Sequence, residues 1–309
     1  MSQSFKKPNN HLYNRKKFLS YSLNMAGGLS LLSLPGAALA AQLPKAQKDY
    51  TVQEVINIIL KEVPCAPFKE TVDTLKSGSE SDKVSGIITT MFTTINVINE
   101  AVKQQASFII AHEPTFYNHT DDKEFVNNNP VVQEKVALLA KHNITVWRFH
   151  DYCHALMPDA ITYGVVKKAG WLNYFKKGGS TLQIPAIKFN ALVQHLKQSL
   201  SIAHLRVIGD AHQTCQRIAL LPGAAGGKEQ ISAVLETKPD VLIIGEASEW
   251  ETVEFIRDAR LLGFKTALIV LGHCVSEEPG MEWVAAWLQP KLPNIKITHV
   301  PSNDPFTWM

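Results

Sequence analysis

From residue 51 to residue 300 the sequence repeats one pattern: a short apolar run fit for a buried strand, then an amphipathic stretch long enough for a helix. Ser107-Phe108-Ile109-Ile110-Ala111, Val241-Leu242-Ile243-Ile244 and Ala267-Leu268-Ile269-Val270-Leu271 are apolar on both faces, as strands covered on both sides must be. Helical stretches of about ten to fifteen residues between them require crossover connections, so the expected fold is α/β with mixed, largely parallel sheets. The pattern predicts strands over 84–92, 107–111 and 145–149, then over 205–208, 217–221, 241–244, 266–271 and 295–300. Helices are expected over 51–63, 96–105, 130–141 and 159–169, then over 189–200, 228–235, 251–262 and 281–288. Lys176-Lys177-Gly178-Gly179-Ser180 interrupts the rhythm and divides the chain into two linked halves, 51–176 and 181–309. With 45% hydrophobic and 19% charged residues among 309, the chain can bury a core of this kind.

The N-terminal segment follows a different logic. Lys6, Lys7, Arg15, Lys16 and Lys17 form a basic region with no acidic residue before Asp49, and a moderately apolar run from Phe18 to Leu34 follows. Ala38-Leu39-Ala40 has the small-residue pattern of a cleavage site, so 1–41 reads as a signal peptide and 42–50 as a linker. The run Asn14-Arg15-Lys16-Lys17-Phe18-Leu19-Ser20 is similar to a twin-arginine (Tat) signal with Lys16 in place of the second arginine. The general secretory route stays open, and either route predicts a periplasmic or extracellular protein. Removing those five basic residues from the 31 Lys+Arg leaves 26 against 28 Asp+Glu, so the mature chain is slightly acidic and carries no nucleic-acid footprint. No run of about 20 apolar residues follows residue 41, so no membrane span is expected after cleavage.

Ligands in α/β proteins collect beyond the carboxyl ends of strands, and three expected strands end in metal-competent side chains. The first is Ile109-Ile110-Ala111-His112-Glu113-Pro114, with His119, Asp121 and Asp122 close behind. The second is Phe149-His150-Asp151-Tyr152-Cys153-His154, for which a helix-capping loop is the plain alternative. In the third, Gly272-His273-Cys274-Val275-Ser276-Glu277, His273 is expected at the strand end and Glu277 near the N-cap of a helix opened by Pro279. There a carboxylate is favourable even without metal. Each cluster alone is ambiguous, but imidazoles and carboxylates at one end of three strands suit Zn, Mn, Fe or Co. Of the four cysteines, Cys65, Cys153, Cys215 and Cys274, none shows CxxC spacing. A nucleophilic role for Cys153 or Cys274 is disfavoured, because a neighbouring residue such as His154 or His273 rarely reaches the geometry a thiol–base pair needs.

These motifs, in this order, resemble the Nif three-like (NGG one interacting factor three-like) family over roughly 84–306. Gly272-His273-Cys274-Val275-Ser276-Glu277 is similar to the family's G-H-x-x-S-E, and Ile109 to Pro114 to its I-I-x-H-H-P. Gly223-Ala224-Ala225-Gly226-Gly227 is similar to a Gly-rich turn of the family, and Gly245-Glu246 to its Gly-acidic pair. The resemblance implies two similar α/β halves with a centre of two divalent metal ions between them, commonly in a toroidal homohexamer. It implies His112, His273 and Glu277 as ligands. Glu113 stands where a second histidine is usual, and His154 where the A-H-T-N-L-D motif has its bridging aspartate, which keeps the total of imidazoles and carboxylates. The expected ligand set is therefore His112, Glu113, His154, His273 and Glu277, with His150 or Glu246 as orienting group or general base. Some family members are named GTP cyclohydrolases of type two. The expected function is a metal-dependent hydrolase, and the alternative a metal-binding or scaffold ring without turnover.

Overall fold

A computed structural model describes residues 49–126 and 128–309. The expected signal peptide and most of the expected linker lie outside the described residues. Residue 51 opens α1 (Val52–Leu60) through a reciprocal cap: the Thr51 hydroxyl accepts from the Glu54 N–H, and Glu54 accepts from the Thr51 N–H. There follow β1 (Leu75–Ser77), β2 (Ile87–Thr90), α2 (Ile95–Lys103), β3 (Phe108–Ala111), α3 (Pro130–Lys141) and β4 (Thr145–Arg148). Two short helices, α4 (Asp151–Ala155) and α5 (Ala160–Lys168), lead to the second half. That half runs β5 (Thr181–Lys188), α6 (Phe189–Ser199), β6 (Arg206–Ile208), β7 (Thr214–Leu221), α7 (Gly227–Thr237), β8 (Val241–Ile244), α8 (Glu254–Leu261), β9 (Ala267–Val270), α9 (His273–Leu288) and β10 (Ile297–His299).

The strands form two five-stranded sheets, in the orders β1-β4-β3-β2-β10 and β5-β7-β8-β9-β6. Interior pairs are parallel, while β1, β5 and β6 add antiparallel edges. The mixed, largely parallel α/β class expected from the sequence is what forms. Strands β2, β3, β4, β8 and β9 are buried throughout, and β3, β8 and β9 read as unbroken apolar runs for that reason. Two strands escaped the sequence pattern. Strand β1 is three residues long, and β5 contains Pro185 with a register shift between Gln183 and Ile187, a disruption only an edge strand tolerates.

The 181–309 half does not close on itself. Strand β10 returns to the first sheet and pairs parallel with β2, and the Ile87 and Val300 N–H groups extend that ladder to Lys296 and Thr89. Helix α9 follows the same path. Gly164 of α5 lies where a Cβ would sit 2.4 Å from Pro279, and Gly280 faces Ile161 as closely. The Thr89 hydroxyl of β2 also donates to the Met281 carbonyl. The described residues, from 49 onward, accordingly fall in one compact unit. Among the described residues no helix is long and apolar enough to cross a membrane.

Candidate metal centre

The parallel strands β3 and β4 end beside one another, and the chain leaves each into a ligand-bearing segment. Beyond β3 the ladder continues for two residues, with His112 N bonded to Thr90 O and Glu113 N to Met91 O, before Pro114 ends it. Beyond β4, residues 151–155 are helical and are not a capping loop. Asp73 caps them, accepting from the N–H groups of His150, Asp151 and Tyr152 at 2.7–3.1 Å. His154 thus stands one turn beyond His150. Beyond β9, Gly272 at φ +98 turns the chain directly into α9. This corrects the expected start at residue 281: His273 is the first helical residue, and Glu277 faces the same way one turn on. Pro279 sits inside the helix, whose first turn is closed by Ser276 N to Gly272 O and by the Ser276 hydroxyl on the His273 carbonyl.

Four imidazoles then share one construction. Each has its Nδ1 engaged by an oxygen: His112 with the Phe149 carbonyl at 3.0 Å, and His150 with Asp151 at 2.9 Å. His154 is likewise engaged by Asp159 at 2.9 Å, and His273 by Glu246 at 2.8 Å. These bonds assign the Nδ1–H tautomer and leave Nε2 as the coordinating atom. The rings of His112, His150 and His154 lie 4.9–5.0 Å apart, centroid to centroid. Ligand atoms of His112, His150 and His154 fall within 4.8 Å of one another, and so do those of His112, Glu113 and Glu277. His112 belongs to both groups. His273 joins them through Nε2, 3.2 Å from Glu113 and 3.1 Å from Glu277.

All five expected ligands therefore meet, and His150 meets them too. Glu246, expected as a base or orienting group, orients His273. His119 places its ring edge-on to His150 at 5.9 Å, whereas Asp121 turns away to accept from the Thr115 and Phe116 N–H groups.

Burial holds His112 well below the usual imidazole range, and the neighbouring His154 and His150 add to the effect, so it stays neutral as a ligand must. Burial raises the Glu277 carboxyl. At Glu113 burial pushes the same way but is outweighed by His273, His150 and Arg148, and the group lies below its ordinary value. His273 is desolvated as well, yet its hydrogen bonds to Glu113 and Glu277 and their charges carry it to about 11. Its proton occupies the point where a cation would be welcome. The residues fit a metal on two further counts. His112 Nε2 is buried without a hydrogen-bond partner. Gly223, at φ +70, leaves room for Glu277, whose Oε1 would lie 1.9 Å from an added Cβ.

Several supporting residues carry no local signal in the sequence. Arg148 is completely buried at the end of β4, bonded to the His112 and His119 carbonyls and to Glu113, with Asp121 3.6 Å away. Asp73 reaches its partners across more than seventy residues. Cys153 lies in the apolar core and Cys274 bonds to Glu278, and burial raises both thiols, so neither is an activated nucleophile. A cavity of ≈ 940 Å³ opens over the cluster, walled by Phe92, Tyr117, Lys135, Ala224 and Ala225 among others. A second of ≈ 600 Å³ adjoins it, sharing Phe92, Glu246 and His273 and walled by residues 304–308.

Known proteins share this arrangement of elements. A Clostridium perfringens protein named GTP cyclohydrolase 1 type 2 homolog is 21% identical over 272 residues, 84% of this chain and 99% of its own. A Clostridium acetobutylicum protein of the same name is 23% identical over 244 residues, 74% of this chain and 86% of its own. A Staphylococcus aureus hypothetical protein superposes with a TM-score of 0.67 at 18% identity, covering 84% of this chain and 99% of that one. A Bacillus cereus protein related to NIF3 does so with 0.67 at 16% identity, covering 85% and 100%. At such identities the structures establish the fold. The family model described as Duf34/NIF3 (NGG1p interacting factor 3) matches residues 50–305, and the chain belongs to that family.

Proposed function

We propose that this chain is an exported, metal-dependent hydrolase whose centre takes two divalent ions. The observation that carries the reading is the set of four imidazoles, each anchored at Nδ1 by an oxygen, with the Nε2 atoms of His112, His150 and His273 3.1–3.8 Å from the buried carboxylates of Glu113 or Glu277 and His154 grouped with His112 and His150. His112, Glu113, His150, His154, His273 and Glu277 would hold the ions. Divalent ions bound there would supply Lewis acidity, lowering the pKa of a water and offsetting charge on a phosphoryl or carbonyl oxygen. The chain's own residues do the rest. Asp151, Asp159 and Glu246 fix the ring orientations of His150, His154 and His273. The Glu246 side chain is 58% exposed and lines both cavities, so it can accept a proton at one oxygen while the other holds His273. Because His150 is drawn into the cluster, the base role falls to Glu246. A cyclohydrolase reaction, suggested by the clostridial names, is one member of this class, and a toroidal homohexamer is the assembly we expect.

The test is elemental analysis of residues 42–309 purified from the cell envelope fraction without a His-tag, with light scattering on the same sample. Roughly two ions per chain, lost on His273→Ala and on Glu277→Ala, is the expected result. Turnover of phosphoester, amide or ring substrates above a chelated control would identify a hydrolase. Two ions without turnover across such a panel would leave a metal-binding or scaffold role. Full metal content in either variant would remove that residue from the centre.

A further inference from the structure

Lys135 projects from α3 into the wall of the cavity above the metal cluster and is only 4% exposed. Its ammonium donates to the Thr115 carbonyl at 2.7 Å and lies 5.0 Å above the Tyr117 ring and 6.0 Å above that of Phe116. A buried ammonium ordinarily has a carboxylate against it, because taking a charge out of water is costly unless it is paired. Here the acidic group acting on it is Asp121, whose carboxylate is already engaged by Lys76 at 3.2 Å and Arg148 at 3.6 Å. No carboxylate lies within ion-pair distance of Lys135 Nζ among the described residues. Tyr117 holds φ +68, a costly conformation for an aromatic residue, and its ring is thereby placed beneath the ammonium. Desolvation lowers the Lys135 amine to about 8, the mark of a cation kept where it is poorly compensated.

We propose that Lys135 is the anchor for an oxyanion, a phosphate or carboxylate group, carried by the molecule that binds over the metal cluster. The missing counter-charge is then the ligand's own. Resting on the hydrolase reading, this makes the substrate an anionic small molecule held at one end by Lys135 while its reacting bond faces His273 and Glu277. Tyr117 and His119 line the same wall and offer further donors to the anion.

The experiment is calorimetric titration of inorganic phosphate, and separately of acetate, into the metal-loaded and the chelated protein, for wild type and Lys135→Met. Methionine keeps the length and apolar stem of lysine, so it retains the contacts over Phe116 and Tyr117. The expected result is phosphate or acetate binding that weakens about tenfold or more in Lys135→Met, with unchanged metal content and an equal or higher melting temperature. Whichever anion binds more tightly identifies the group. Binding that survives in chelated wild-type protein and disappears in chelated Lys135→Met assigns it to the lysine rather than to the ions. Equal affinity in the two proteins, no binding of either anion to wild type at millimolar concentration, or a variant that melts several degrees lower would each overturn the proposal. Should the protein take up no metal yet bind phosphate through Lys135, the hydrolase reading fails and the anion site stands.

Discussion

In the first half of the chain the ligands are held by charge. Arg148, wholly buried, ties the His112 and His119 carbonyls to Glu113, and Asp73 gathers three N–H groups at the start of α4. In the second half, beside the bond from Glu246 that orients His273, they are held by close approach. Gly223 and Gly245 leave no room for side chains beside Glu277 and Ser276, and the Ser276 hydroxyl accepts from the Gly223 N–H. Charge networks tolerate small changes of shape but not the loss of one partner, whereas close-packed backbone tolerates changes of charge but not an added methyl. The two halves of the centre should therefore fail in different ways.

The comparison breaks most sharply at Arg148. Arg148→Met leaves the carboxylates of Glu113 and Asp121 without their shared cation, and the expected loss is about 3–5 kcal/mol of stability, with metal binding weakened. Denaturant unfolding and elemental analysis check it, and a neutral result would show that Lys76 alone can carry the network. Gly223→Ala tests the other half. The methyl would collide with Glu277 and the residue would be forced to a left-handed φ, for a cost of about 2–3 kcal/mol and loss of metal. Gly226, at φ +84 and ψ +154 but with open space around it, is the control: Gly226→Ala should cost about 1–3 kcal/mol through its backbone alone and keep its metal.

Asp73→Asn sharpens the comparison through pH. Burial raises the Asp73 carboxyl from 3.8 to about 6, against the pull of the three N–H donors. The native state thus holds this proton more tightly than the unfolded chain does. The contribution of Asp73 to stability is full below pH 4 and is lost as the pH rises through about 6. Asparagine cannot ionise, so the stability of wild type minus that of Asp73→Asn should decline from pH 4 to pH 6. A flat difference would mean the carboxyl stays ionised throughout. Weakening the cap should itself cost about 1–2 kcal/mol. The smallest effect is expected at Cys274→Ser, where a hydroxyl can keep the bond to Glu278. Stability should change by less than about 1 kcal/mol, and metal content should not change.

Most of the fold was legible because strand and helix periodicity are local properties. The buried runs at 108–111, 241–244 and 267–270 could only be central strands, and they are. The strand-end motifs marked three clusters, around His112, His150 and His273, as able to bind metal, and the resemblance to the Nif three-like family implied His112, Glu113, His154, His273 and Glu277 among them. The start of α9 was misread because Pro279 resembles a first-turn residue. Packing of α5 against Gly280 stabilises the helix through that proline.

Taken alone, the sequence determined the α/β class, the alternation of its elements and the residues able to bind metal, since each of these is written within a few consecutive positions. Tertiary structure alone decided that β10 completes the first sheet, that His150 enters the cluster, and that Asp73, Arg148 and Gly223 hold it in place. Those relations join residues dozens to hundreds of positions apart, and chain closure is what sets them.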